Sequence, residues 1–244
     1  MPTDRPQIEA SVTPPLGQRL RPREMNTPSK WKGILSNATM YHHARHFATG
    51  GMPFERWTEL YGLTDTNQRI ADLGCGPADI LRYLSRGRRP AFYLGVDISE
   101  KYLQAARERS DACGIDAEFI PMDLTRLTTD AEVQERIVQL LEQHRITRVL
   151  LLGVLHHIDD ASALQTLNLV ESVRTVQTMI TQDVIRVPGS WINNRYCDMD
   201  RGGYIRDEAG YDSLISRSDW PRHSKFWSSP KLRFLRYVHY ELSK

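Results

Sequence analysis

Apolar positions along this 244-residue chain fall into distinct regimes. Met1–Ser29 has few large apolar groups, and Pro2, Pro6, Pro14, Pro15, Pro22 and Pro28 break any regular helix, so it reads as a flexible tail. Aromatics then enter at Trp31, Tyr41, Phe47, Phe54, Trp57 and Tyr61, interrupted at Gly50-Gly51 and Pro53, which predicts two short helices. From Arg69 onward short apolar runs alternate with longer mixed segments. The runs predict strands at Ile70–Leu73, Phe92–Val96, Ala117–Ile120, Arg148–Leu152 and Met179–Val184. The intervening segments predict helices at Ile80–Ser85, Glu100–Cys113, Asp130–His144 and Ala161–Val173. Ser99 stands where an N-cap is favoured and Gly114 where a helix ends on glycine.

Strands alternating with helices give a mostly parallel sheet covered on both faces. The runs ADL, YLGV and VLLLGV lack polar alternation, as central strands buried on both sides do. The rhythm breaks after Val187. Pro188–Pro221 is long, polar and aromatic, and Lys225–Trp227 and Arg233–Leu242 then read as an antiparallel hairpin joined by Ser228–Leu232. The expected architecture is therefore α/β, with a mostly parallel seven-stranded sheet, helices on both faces and a C-terminal antiparallel hairpin. The expected organisation is a tail over 1–29 and a single domain over 30–244. Within that domain, 30–62 forms a helical cap and 188–221 an insertion on the substrate side.

Composition narrows the partners. Hydrophobic residues make up 40% and charged residues 25%, ordinary for a globular protein, and a net charge of +2 gives no electrostatic case for nucleic acid. The cluster Arg82, Arg86, Arg88 and Arg89 reads as a solvated face. No apolar run approaches the roughly 20 residues needed to span a bilayer. Three cysteines without paired metal spacing, and no secretory signal, point to reduced thiols and a cytoplasmic protein.

The chemistry sits in Arg69–Asp79, RIADLGCGPAD, and Tyr93–Ser99, YLGVDIS. An apolar strand runs into a turn containing Gly74 and Gly76, and the next strand ends on Asp97. Such a unit holds an adenosyl group against backbone and carboxylate. A dinucleotide fingerprint needs a small residue three positions past the second glycine. Here that position is Asp79 and the small residue is Ala78, giving G-x-G-x-A. An acid at the helix start also repels a pyrophosphate. A dinucleotide-dependent oxidoreductase is thus disfavoured.

At these residues the chain resembles the class I S-adenosylmethionine-dependent methyltransferases, whose first motif reads roughly D/E-x-G-x-G-x-G. Here it is Asp72-Leu73-Gly74-Cys75-Gly76-Pro77-Ala78, with alanine in place of the last glycine. Asp97 matches the family's ribose-binding acid, Asp123 in Pro121-Met122-Asp123-Leu124 its adenine-side acid, and Gly153-Val154-Leu155-His156-His157-Ile158 its fourth motif. The resemblance spans roughly Leu60 to Val187. It implies a Rossmann-like fold, S-adenosyl-L-methionine as cofactor, and a cofactor site of Asp72, Gly74, Cys75, Gly76, Asp97, Ile98, Met122, Asp123, Leu124 and Gly153. The cofactor's carboxylate is expected on the turn's amides and its ammonium on Asp72.

The expected reaction is methyl transfer to a small-molecule acceptor, on O, N or C, without nucleic acid. His156 or His157 is the candidate base, because both follow the fourth strand where ligands bind in an open α/β sheet. Tyr41, His42 and His46 are candidate substrate contacts on a lid helix, and Arg201 and Tyr204 candidates in the late insertion, where Arg201 and Arg206 would grip an anionic or polyhydroxylated substrate. His42 and His46 share a helix face, but H-H-A-R-H lacks the glutamate of a zinc-hydrolase motif, so no metal is expected. The alternative function is a non-catalytic protein that keeps the fold as a binding or regulatory partner.

Overall fold

The computed structural model describes residues 54–63, 65–85, 89–200, 202–229 and 235–244. The tail, most of the 30–62 cap, Tyr41, His42, His46 and Arg201 lie outside the described residues.

A seven-stranded sheet runs in the order β3-β2-β1-β4-β5-β7-β6. Its parallel strands are β1 (Arg69–Leu73), β2 (Phe92–Asp97), β3 (Ala117–Pro121), β4 (Arg148–Leu152) and β5 (Thr178–Val184). The two C-terminal strands are β6 (Arg222–Ser228) and β7 (Tyr237–Ser243). β7 inserts antiparallel between β5 and β6, which leaves β6 at the edge. Burial follows from that order: β7 is buried almost throughout, whereas β6 is mostly exposed. The hairpin is present, but its strands begin three residues before Lys225 and four after Arg233, so the connection is longer than the pattern predicts.

The apolar strands feed two cores. Ala71, Leu94, Val149, Leu151 and Met179 face α4 (Ala131–Gln143), α5 (Asp160–Ser172) and α7 (Glu208–Ser216). Ile70, Tyr93, Leu150 and Ile180 face α1 (Phe54–Leu60), α2 (Leu81–Leu84) and α3 (Glu100–Cys113). Each fully buried aliphatic side chain contributes about 1.5–3 kcal/mol, so period-two splitting of every strand between two faces holds the layers together. Local signals set the ends of α3: the Ser99 hydroxyl accepts from the Tyr102 amide, and Gly114 closes the helix in the left-handed region.

The 188–221 segment, which the pattern leaves without regular structure, contains two helices. In α6 (Trp191–Met199), buried Asn193 donates to the Ile185 carbonyl at 2.7 Å and accepts from the Arg236 amide at 2.9 Å. In α7, Asp207 caps the first turn by accepting from the Gly210 amide at 2.8 Å, and Tyr211, Leu214 and Ile215 bury one face. That Asp-cap and spacing were present in the sequence, masked by the surrounding charge. Among the described residues no helix is long and apolar enough to cross a membrane.

Strand order reverses at β1, which has β2 on one side and β4 on the other. A crevice opens there beyond the carboxyl ends of the strands, where ligands bind in open α/β sheets.

Candidate functional site

A cleft of about 420 Å³ occupies that crevice. Its walls bring together Asp72, Gly74, Cys75, Gly76, Asp97, Ile98, Met122, Asp123, Leu124 and Gly153. These residues come from the ends of β1, β2, β3 and β4 and the loops that follow them.

The turn after β1 is held internally. Gly74 and Gly76 sit at φ +81 and +54, and a Cβ on Gly74 would lie 2.6 Å from Val154 Cγ2. The Gly74 and Cys75 amides donate to the Val96 carbonyl at 2.7 and 3.0 Å. The Gly76 amide donates to Asp97 Oδ2 at 2.9 Å, and the Ala78 amide to the Cys75 carbonyl at 2.9 Å. Pro77 has no amide hydrogen. The expectation that these amides take a ligand carboxylate is therefore corrected: three donate to β2 and one to the turn itself. The Asp97 carboxylate also accepts from the Ser99 amide at 2.8 Å, which fixes its plane and leaves further lone pairs toward the cleft.

Two buried polar atoms in the wall have no partner among the described residues: Asp72 Oδ1 and Gln182 Nε2. The Tyr93 hydroxyl donates to the other Asp72 oxygen at 2.6 Å. Burial pushes the Asp72 carboxyl up to about 7 against that hydrogen bond, with the Asp97 charge adding to the rise. Burial also pushes the Cys75 thiol far up, so it lines the cleft as an inert thiol. Asp123 caps the short 3₁₀ turn Leu124–Thr128 by accepting from the Thr125 amide at 3.0 Å. Asp79 meets Arg109 at 3.1 Å at the cleft's rim.

The two histidines after β4 part company. His157 is exposed and lines the cleft. His156 is buried and does not line it; its Nδ1 lies 2.7 Å from Asp183 Oδ1 and its Nε2 3.4 Å from Asp200 Oδ1. Burial alone would lower the His156 pKa, but the two carboxylates outweigh it and hold the ring up at about 9. Asp200 is correspondingly held down at about 2: its burial, which would raise it, is outweighed by His156. Buried, off the cleft and with both nitrogens facing carboxylates, His156 is not placed as the base expected of it; His157 alone of the pair faces the cleft.

Arg206, expected to grip substrate, instead holds the backbone: its guanidinium donates to the Leu155 carbonyl at 2.7 Å and the Ile158 carbonyl at 3.0 Å, and pairs with Asp160. Tyr204 is half exposed, lies outside the cleft wall, and donates its amide to the His156 carbonyl. Among the described residues one group has metal-ligand spacing, His156, His157 and Asp200, whose ligating atoms lie within 4.8 Å of one another.

A family described as "Methyltransferase domain" matches residues 70–174. Over residues 70–174 the chain is thus similar to the class I S-adenosylmethionine-dependent methyltransferases. Among curated proteins, a carboxy-S-adenosyl-L-methionine synthase from Campylobacter jejuni is 34% identical over 65 residues, 27% of this chain and 28% of that protein. The match thus spans little more than a quarter of the relative's length. Among solved structures, a S-adenosylmethionine-dependent methyltransferase from Archaeoglobus fulgidus superposes with a TM-score of 0.58 at 11% identity, covering 84% of this chain and all of that one. The mitomycin 7-O-methyltransferase superposes with a TM-score of 0.56 at 16% identity, covering 89% of this chain and 62% of that one. These superpositions carry the fold.

In the turn after β1, Ala78, in place of the motif's last glycine, adopts the glycine's conformation: it sits at φ +50, fully buried. The left-handed backbone costs an alanine about 1 kcal/mol, and the turn keeps its shape. Sequence reading missed Gln182, Asp183 and Asp200. The signal for the first two was Thr181-Gln182-Asp183, three polar residues running through a strand that is buried along almost its whole length. A polar run there needs partners or a ligand.

Proposed function

We propose that the protein transfers a methyl group from S-adenosylmethionine, bound in this cleft, to a small-molecule acceptor that reaches the cleft beside His157. The observation that carries the reading is the pair of buried, unpartnered atoms Asp72 Oδ1 and Gln182 Nε2 at one end, with Asp97 at the end of β2 and Asp123 after β3. An acceptor oxygen on β1 and a donor nitrogen on β5, both in the cleft wall, suit the ammonium and carboxylate of an amino acid. Asp97 has lone pairs for the ribose hydroxyls, and Asp123 accepts from the exocyclic amine of adenine between Ile98, Met122 and Leu124.

The cofactor supplies the electrophile, a sulfonium-bound methyl group. The chain's own residues bind, orient and exclude water. Rate then comes chiefly from lining up nucleophile, carbon and sulfur. For a hydroxyl acceptor, His157 takes the proton at the cleft wall, while His156 stays protonated and fixes the turn that carries His157.

Calorimetric titration with S-adenosylhomocysteine tests the reading. Wild-type protein binds one equivalent, and Asp97→Ala weakens binding about 100-fold, the scale of losing charge-assisted bonds to two hydroxyls. No binding by the wild type, or an unchanged Kd in a folded Asp97→Ala variant, contradicts it. Release of S-adenosylhomocysteine over a panel of hydroxylated and amino acceptors then separates an enzyme from a non-catalytic cofactor-binding protein.

A further inference from the structure

The turn that carries His157 is fastened from outside its own neighbourhood. Leu155–His157 is a single 3₁₀ turn, too short to satisfy its own carbonyls. The carbonyls of Leu155, His156 and Ile158 accept from Arg206 Nη1 at 2.7 Å, the Tyr204 amide at 3.0 Å and Arg206 Nη2 at 3.0 Å. Three carbonyls of one turn are met by one short stretch some 50 residues later. The stretch approaches so closely that a Cβ on Gly202 would lie 2.3 Å from His156 Cδ2 and 2.7 Å from the His156 carbonyl oxygen. The Gly202 amide in turn donates to Asp200 Oδ1 at 2.8 Å, the same oxygen that faces His156 Nε2.

We propose that Asp200 with Gly202–Arg206 forms a clasp that holds the Leu155–Ile158 turn, and so His157, against the cofactor cleft, with Asp200 the positioning residue that locks the clasp by bridging His156 Nε2 and the Gly202 amide. The proposal rests on the methyl-transfer reading only for what His157 faces; the clasp itself is read without turnover.

The lock follows from the groups around His156. Asp183 faces it from β5, Asp200 from the end of α6 and His157 from its own turn; Arg206 binds the turn's carbonyls, and Tyr211 of α7 lies beneath the Arg206 guanidinium and donates to the Val184 carbonyl. Asp183 Oδ1 also accepts from the His156 amide at 3.1 Å, so the Nδ1 side is fixed whatever the ring's charge. Protonated, His156 donates to both carboxylates. Neutral, it keeps its hydrogen on Nδ1 toward Asp183 and turns a lone pair on Nε2 toward the Asp200 carboxylate, which then repels it. The Asp200 end of the clasp is the end that opens.

Hydrogen exchange on the full-length chain tests this. In the wild type, the amides of 202–206 and 155–158 are protected near neutral pH. Corrected for intrinsic rates, that protection falls about tenfold between about pH 7 and about pH 10. Asp200→Asn, which keeps shape and loses charge, shows the lower protection already at neutral pH and no longer responds to pH over that range. Asp200→Glu restores part of it, and β1–β3 are unchanged in both. The proposal is overturned if Asp200→Asn matches the wild type, or if its pH response persists. It is also overturned if the metal-free wild type takes up one equivalent of Co²⁺ with visible ligand-field bands that Asp200→Asn abolishes, since Asp200 would then answer to a cation. Should Asp200→Asn fail to fold, the wild type decides alone: a flat protection profile across the ionisation of His156, followed by imidazole NMR, overturns the proposal.

Discussion

The turns after β1 and β4 meet at Gly74 and Val154 in the wall of one cleft and are built on different principles. The turn after β1 is fastened by near neighbours in sequence: Gly76 to Asp97 and Tyr93 to Asp72 each span 21 residues, within one βαβ unit. The turn after β4 is fastened by partners 27 to 51 residues away, on β5 and on the segment between α6 and α7. The β1 turn is fastened within a local unit, although the cleft wall it belongs to also takes Gln182 from β5. The β4 turn is fastened only once the second half of the domain has docked.

The largest effect expected from this contrast is on stability. Asp183→Ala removes the fixed partner of a buried imidazolium and should cost about 3–5 kcal/mol in denaturant unfolding. Asp97→Ala removes an acceptor from two backbone amides at the half-exposed rim and should cost about 1–2 kcal/mol. Equal losses would erase the distinction between the two turns.

Both sides should lose stability as pH rises, in different windows. His156 is raised from 6.5 to about 9 in the folded chain. Its contribution, about 3 kcal/mol, is fully present below pH 6.5 and is lost as pH rises through about 9. Asp72 is a carboxyl raised to about 7 by burial, so it opposes folding as pH rises from 3.8 through 7. Urea titrations at several pH values, comparing wild type with Asp72→Asn and with Asp183→Asn, separate the two. Asp72→Asn should remove the acid-side slope and leave the alkaline one.

A smaller effect sharpens the cofactor side. The ammonium of an amino acid needs Asp72 ionised. Affinity for S-adenosylhomocysteine should therefore fall about tenfold from pH 8 to pH 6, and Asp72→Asn should flatten that slope. A slope that survives the substitution assigns the proton to another group.

Much of the cleft wall around the β1 turn was legible in the sequence for the same reason that it is local. Gly74, Gly76 and Asp97 announce themselves through strand, turn and acid at fixed spacing, and Asp123 and Gly153 recur at strand ends in register. The acceptor side was not. His156 and His157 are adjacent and chemically alike, and only the fold shows that one is buried between Asp183 and Asp200 while the other faces the cleft. Arg206 reads as a substrate clamp until its guanidinium is seen on two backbone carbonyls. Gln182 stands in the polar run Thr181–Asp183 of a buried strand, which signals a need for partners, but nothing local says what its amide faces. The insertion of β7 between β5 and β6 is likewise a long-range choice, made by which strand can be buried on both sides.

The most direct test of the account is a crystal structure with S-adenosylhomocysteine. The account predicts the ribose hydroxyls on Asp97, the amino acid end against Asp72 Oδ1 and Gln182 Nε2, and His157 facing the sulfur with His156 still held between Asp183 and Asp200. A ligand outside this cleft, or a sulfur facing His156 with His157 turned away, would contradict it.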